Sequence, residues 1–171
     1  MVVTSAIRTA GDDFDEAIIK YIRSELNLII GGGVAERLKI EIGNAFPEKE
    51  IEKAEIKGTD ASSGLPKRME IDSDQIRESL KVPVMKILDE LKSLLGKTPP
   101  DLAADIVESG IVMTGGGSLL KGLPKLFQNE TGVPVILAEN PLNCVALGAG
   151  LYFDRTRGYD NMRNIYNNLN E

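Results

Sequence analysis

The sequence lacks several residue types on which common protein chemistries depend. Its 171 residues include no histidine, no tryptophan and one cysteine. Without histidine, Ser-His-Asp and Cys-His catalysis within the chain are excluded, and so is a zinc site built from His and Cys ligands. A single cysteine cannot form an internal disulfide, which fits a reducing compartment.

Long apolar runs and an excess of basic charge are also missing. No hydrophobic stretch approaches the roughly 20 residues needed to cross a membrane. Arg8 is soon followed by Asp12 and Asp13, which is not the pattern of a signal peptide. The 20 basic and 26 acidic residues give a net charge of −6, so we expect no nucleic-acid partner. The length and a hydrophobic content of 42% predict about one domain with a substantial core.

Apolar spacing in the first half of the chain predicts two helices followed by a hairpin. Hydrophobic residues recur every four positions from Phe14 onward, which predicts an amphipathic helix over 13–27. A second short helix is expected over 34–42, with Gly43 as the left-handed residue that ends it. Two strands joined by a loop-rich connection are then predicted at 51–57 and 67–71.

The middle of the chain carries helix start and break signals. Asp72 and Gln75 have the spacing of a capping box, so a long helix should begin there. Pro83 lies inside its apolar pattern and should kink or split it. Pro99 is expected in the first turn of the next helix, whose predicted buried side consists of Leu102, Ile106 and Val107.

The last third has a different pattern. Residues 111–113 form an apolar run without alternation, which predicts a strand buried on both faces. A glycine-rich turn, a helical segment up to residue 130, a strand at 135–137 and a helix rich in small residues follow. Strand, turn, helix, strand and helix in this order predict a parallel α/β sheet.

The turn at Gly115, Gly116, Gly117 and Ser118 can be interpreted in two ways. Glycines let the backbone approach a ligand closely, and free N–H groups at such a turn favour a phosphate. A tight strand-to-helix turn without a ligand is equally compatible with these residues. The pattern is neither a Walker A motif nor G-x-G-x-x-G.

Glu36 and Lys39 lie three residues apart and should share a helix face. On spacing alone, a solvated ion pair between them is the favoured interpretation.

Four segments in order resemble the MreB family of bacterial actin homologues, within the superfamily of actin, sugar kinases and chaperone ATPases. They are residues 7–18 (IRTAGDDFDEAI), 35–43 (AERLKIEIG), 97–100 (KTPP) and 110–150, which includes TGGGSLL. The resemblance covers about residues 1–155. One departure is that Gly32, Gly33 and Val34 stand where the family usually has a charged residue and Thr, so no side-chain cap is expected there.

The resemblance implies an α/β fold corresponding to the second lobe of an actin-like ATPase, and hence a partial fold. Residues 1–11 and 81–158 would form a ribonuclease H-like base that faces the nucleotide. Residues 12–80 would form a smaller inserted α+β subdomain, and 159–171 a C-terminal helix or tail.

The resemblance also assigns site residues. Gly115, Gly116, Gly117 and Ser118 would contact the phosphate and adenosine end of ATP, which the full-length parent binds with Mg²⁺. Glu36 and Lys39 would face the ribose and adenine. Gly148, Ala149 and Gly150 would form the hinge between lobes. No catalytic residue or metal ligand is assigned, because the family's phosphate loops and catalytic carboxylate belong outside this sequence; the chain alone is therefore expected to be inactive as an ATPase.

The implied function is that of a filament-forming cytoskeletal protein that maintains rod cell shape. Expected partners are further copies of the protein, its own first lobe and, through that lobe, membrane-associated shape machinery. Residues 44–72 are the expected filament contact, and the expected location is the bacterial cytoplasm beneath the cell membrane. A lobe of another ATPase or kinase of the superfamily, or an α/β module without a ligand, are the alternatives.

Overall fold

A computed structural model describes residues 3–155 of the chain. Two small sheets are present within this range: a three-stranded antiparallel sheet, whose strands lie side by side in chain order, and a parallel pair formed by the last two strands. The strands are β1 Leu28–Ile29, β2 Lys53–Asp60, β3 Pro66–Asp72, β4 Ile111–Met113 and β5 Val135–Leu137. The helices are α1 Gly11–Leu26, α2 Gly32–Ile42, α3 Ser73–Gly96, α4 Pro100–Ser109, α5 Leu123–Thr131 and α6, which occupies residues 144–155.

The core forms where the apolar faces of α1, α2 and α3 meet the inner face of the antiparallel sheet. Each fully buried Leu, Ile or Phe side chain contributes about 1.5–3 kcal/mol to the free energy of folding. The same cluster continues into the turn before α5 and into α5 itself, so both sheets are attached to one core. Its members include Phe14, Ile18, Ile22, Leu38, Ile56, Ile71, Ile76, Leu80, Leu88, Leu120, Leu123 and Phe127.

The first half agrees with the sequence prediction except at its edges. The helix predicted over 13–27 is confirmed as α1, and the predicted hairpin is confirmed as β2 and β3, with β2 extending to Asp60. Strand β1 was not predicted, because two residues are too short to show alternation. Gly43 is not left-handed as predicted: its φ is −67°, and glycine is needed there because a Cβ atom would lie 2.2 Å from the Lys39 carbonyl oxygen.

The hairpin turn is built around Asp60. Its carboxylate accepts hydrogen bonds from the N–H of Ser63 at 2.9 Å, from Lys67 Nζ at 3.0 Å and from the N–H of Ser62 at 3.0 Å. These donors stabilise the charged form and hold the pKa of Asp60 well below its usual range. The turn is thereby fixed at residues 61–65.

Helix α3 begins as predicted and continues through the proline. The Asp72 carboxylate accepts from the Gln75 N–H at 2.8 Å, and the Asp72 N–H donates to Gln75 Oε1 at 3.1 Å. The prediction that Pro83 could split the helix is wrong, since α3 is continuous over 24 residues. Burial of Leu80, Pro83 and Val84 on one face outweighs the loss of a single backbone hydrogen bond.

The last third has the predicted parallel pairing but less burial than predicted. Val112 of β4 is 61% exposed, so the strand is not buried on both faces. On α4 the predicted burial of Val107 is wrong, since it is 56% exposed, whereas Leu102 and Ile106 are half-buried. The sheet described here has two strands, and within residues 3–155 no element covers the Val112 side. The segment predicted as a C-terminal helix, 159–171, lies outside the described residues.

No helix within residues 3–155 combines the length and apolar character required to cross a bilayer.

Replacing Asp72 with alanine should lower the free energy of unfolding by about 1 kcal/mol, because the N-terminal amides of α3 lose their cap. Asp89→Ala is the matched control: Asp89 is exposed on the same helix, and the same substitution should change stability by less than about 0.5 kcal/mol. Urea unfolding followed by circular dichroism measures both. Equal stability of the two variants would show that the capping box does not stabilise α3.

Candidate nucleotide site

The glycine turn follows β4 and is held in place by a hydrogen bond to the segment after β5. Gly115 has a φ of +84°, which glycine adopts without strain, and its N–H donates to the Pro141 carbonyl oxygen at 2.8 Å. Residues Gly116–Leu119 then form one turn of 3-10 helix. Ser118 is 5% exposed, and its hydroxyl donates to the Gly115 carbonyl oxygen at 2.6 Å. The Ser118 side chain therefore stabilises the turn from the inside.

The outer side of the turn is open. No atom lies within 4 Å of a Cβ built on Gly115 or Gly117, whereas one on Gly116 would meet the Leu142 side chain at 3.3 Å. Within the described part of the chain, no hydrogen bond is recorded for the N–H of Gly116 or Gly117. The turn thus offers unpaired backbone donors and room for a close approach, which are the requirements for holding an anion.

Helix α2 begins at glycine without a side-chain cap, as expected. The Gly31 carbonyl oxygen accepts from the N–H of Val34 at 3.1 Å and of Ala35 at 3.3 Å. Ala35 and Leu38 are fully buried and fix the rotation of the helix. Glu36 is consequently exposed, one turn from the helix start, and is free to accept hydrogen bonds from a ligand.

Lys39 does not pair with Glu36, contrary to the interpretation from spacing. Its Nζ lies 2.8 Å from Oδ1 and 2.9 Å from Oδ2 of Asp15, and it donates to the Gly11 carbonyl oxygen at 3.2 Å. The side chains of Lys39 and Asp15 are 17% and 18% exposed. The structure therefore identifies Asp15 as the partner of Lys39. Sequence reasoning missed it because no local spacing connects two residues 24 positions apart.

A second contact that sequence reasoning missed joins α2 to the glycine turn. The N–H of Ala45 donates to the Lys121 carbonyl oxygen at 2.8 Å, and Asn44 and Lys121 form a parallel bridge. Lys121 Nζ donates to the Glu41 carbonyl oxygen at 2.7 Å and to Glu52 Oε2 at 2.8 Å. The end of α2 is therefore fixed against the residues that directly follow the turn.

Other predicted groups have the following positions. Gly148, Ala149 and Gly150 lie in α6 and are exposed, and their hinge role stays a prediction. Asp13 Oδ2 accepts from the Ala10 N–H at 2.8 Å, a structural role at the start of α1. Among residues 3–155, no three His, Cys, Asp or Glu side chains cluster as metal ligands would.

Comparison with known proteins adds an independent observation. The family model described as MreB/Mbl protein matches residues 1–161. The chain belongs to the MreB/Mbl family. The cell shape-determining protein Mbl of Bacillus subtilis strain 168 is 44% identical over 154 residues, which are 90% of this chain and 46% of Mbl. MreB of Escherichia coli K12 is 45% identical over 150 residues, 88% of this chain and 43% of MreB. The chain thus spans about half the length of these relatives.

Solved structures agree with the family assignment. MreB5 of Spiroplasma citri bound to AMPPNP superposes with a TM-score of 0.89 at 39% identity, over 96% of this chain and 49% of MreB5. The same protein bound to ADP gives 0.89 over 94% of this chain. The MamK double helical filament, at 20% identity and a TM-score of 0.61 over 75% of this chain and 39% of MamK, shares the fold. The expected α/β, actin-like, partial fold is confirmed.

The contact between α2 and the turn can be tested at Gly122. Its φ is +72°, and a Cβ would lie 2.3 Å from Asn44 Oδ1. Gly132 has the same φ of +72° with open space around it, so Gly132→Ala measures backbone strain alone, about 1 kcal/mol. Gly122→Ala should cost about 3 kcal/mol, because the methyl group also displaces the 44–46 segment.

The free energy of unfolding in urea gives both values. If the two variants are equally stable, the close approach at Gly122 does not hold the turn against the end of α2.

Proposed function

We propose that the chain is the second lobe of an MreB-like, ATP-binding, filament-forming protein that maintains rod cell shape, and that it supplies the adenosine side of the nucleotide cleft. Family membership supports this proposal, as does the similarity to MreB5, which was solved with AMPPNP and with ADP. The observation that carries it is the open turn at Gly115–Gly117, anchored from behind with unpaired N–H groups in front.

Each predicted site residue has a chemical task in this proposal. The N–H groups of Gly116 and Gly117 donate to phosphate oxygens, while the buried Ser118 hydroxyl preserves the turn. The exposed Glu36 carboxylate accepts from the ribose hydroxyls. The aliphatic part of Lys39 covers one face of adenine. Mg²⁺ would accompany ATP by contacts from the other lobe.

The proposal extends to the organisation of the chain. Residues 12–80, with the antiparallel sheet, form the outer subdomain and contribute filament contacts through 44–72. Residues 1–11 and 81–158, with the parallel pair, form the base, and Gly148, Ala149 and Gly150 form the hinge to the first lobe. The proposed location is the bacterial cytoplasm beneath the membrane, where the first lobe contacts the shape machinery, without nucleic acid.

Two alternatives to this proposal are weighed by different observations. A sugar kinase or chaperone ATPase lobe is disfavoured by the match to the MreB/Mbl model over most of the chain. An α/β module whose glycine turn binds nothing predicts no response to nucleotide.

Titration of the ¹⁵N-labelled chain with AMPPNP should shift the amide signals of both α2 and residues 115–118, with an affinity of about 1 mM because half a cleft contributes few contacts. Adenosine, which lacks phosphates, should shift α2 far more than the turn. Pyrophosphate should do the reverse. No shift in either segment with AMPPNP would exclude the proposed site.

Gly117→Ala tests whether the phosphate approaches the turn closely. The added methyl group enters open space at a φ that alanine tolerates, so stability should change by less than about 0.5 kcal/mol. The methyl group should weaken AMPPNP binding about tenfold, because it occupies the position of the ligand. Adenosine binding should be retained.

The matched control is Gly96→Ala at the end of α3, where the added methyl group also enters open space. It should leave nucleotide binding unchanged. Unaltered AMPPNP affinity in Gly117→Ala would show that the turn does not hold phosphate.

A further inference from the structure

The ion pair between Lys39 and Asp15 differs in burial from the other described ones. Both of its side chains are less than one-fifth exposed, at 17% and 18%. In every other ion pair found within residues 3–155, at least one partner is 38% exposed or more. A pair shielded in this way keeps a fixed geometry, whereas the side chains of an exposed pair are solvated and separate readily.

The lysine ammonium is held by hydrogen bonds to Asp15 Oδ2 and to the Gly11 carbonyl oxygen, and by the charge of Asp15. An ammonium group has three donors and no acceptor. Lys39 Nζ lies within 3.2 Å of Asp15 Oδ1, Asp15 Oδ2 and the Gly11 carbonyl oxygen. The charged end is therefore directed toward the start of α1. What remains to face a ligand beside Glu36 is the aliphatic stem.

Neighbouring core residues hold both partners in place. Phe14 and Leu38, each adjacent in sequence to one partner, are 1% and 0% exposed and fix the facing surfaces of α1 and α2. The helix faces that carry Asp15 and Lys39 are therefore held next to each other.

We propose that Asp15 is a positioning residue of the nucleotide site: it holds the Lys39 ammonium against α1 so that the lysine stem, and not its charge, contacts adenine. This inference rests on the proposed nucleotide function. Without the Asp15 charge, the Lys39 ammonium extends into water, and the apolar surface beneath the base is lost.

Asp15→Asn removes the charge with almost no change in shape. AMPPNP and adenosine should both bind about fivefold more weakly to this variant, since the lost contact is to the base. Asp12→Asn is the matched control, because Asp12 is exposed in the first turn of the same helix. It makes the same chemical change near the same helix terminus and should bind nucleotide like the original chain. Asp15→Glu, which restores the charge, should recover part of the affinity.

A double-mutant cycle separates positioning from a merely structural role. If Asp15 acts through Lys39, Asp15→Asn has no further effect on nucleotide affinity when introduced into Lys39→Met. An equal loss in both backgrounds would overturn the inference, as would an unchanged affinity of Asp15→Asn in the original background. In either case the proposed function stands, because the unaltered chain binds nucleotide. If the unaltered chain shows no shifts, both are overturned together.

The position of the Lys39 ammonium can also be tested on the unaltered chain, so that the result does not depend on whether a variant folds. The side-chain NMR signals of Lys39 report separately on its Nζ and its methylene groups. Saturation with adenosine should shift the methylene signals and leave the ¹⁵Nζ signal in place. A shift of ¹⁵Nζ without a methylene shift would show that the charge contacts the ligand, and would overturn the inference.

Discussion

The contact between residues 43–46 and 120–122 is the constraint on which the candidate site depends. The two segments come from different halves of the chain, and the Ala45 N–H to Lys121 oxygen bond connects them directly. Gly122 permits the approach, because any Cβ there would overlap Asn44. Lys121 Nζ adds a bond to the Glu41 carbonyl oxygen in the last turn of α2 and another to the Glu52 carboxylate just before β2. The end of α2 and the segment that directly follows the glycine turn, which are distant in sequence, are thereby held next to each other.

The glycine turn and helix α2 offer different chemistry. The turn presents unpaired N–H groups and open space, while α2 presents an exposed carboxylate beside a lysine whose charge is already satisfied. A nucleotide has the corresponding parts: anionic phosphates, ribose hydroxyls and a planar apolar base. This complementarity agrees with membership of the MreB/Mbl family and with nucleotide-bound structures of the related MreB5.

Local signals in the sequence predicted most of the described elements. The spacing of Phe14 and Ile18, the Asp72–Gln75 pair and the order of strand, turn and helix after residue 111 each depend on neighbours a few positions apart. The glycine turn and Glu36 could be proposed as site residues for the same reason, with the family resemblance supplying the role expected of them. Interactions between distant residues could not be found this way, which is why Asp15 and Lys121 were missed.

The errors have the same physical origin. Pro83 remains inside α3 because tertiary burial outweighs local propensity. Gly43 is required by the approach of the Lys39 backbone and not by its own φ. Val112 is apolar yet exposed. The apolar pattern indicates that a strand is suited to burial, but it does not indicate which element, if any, covers the strand.

The most direct test is hydrogen–deuterium exchange of the chain with increasing AMPPNP. If one nucleotide spans α2 and the glycine turn, the amides of residues 36–40 and 115–119 should gain protection together, with the same dependence on nucleotide concentration. Protection of one segment alone, or of the two at clearly different concentrations, would contradict a single site built from both.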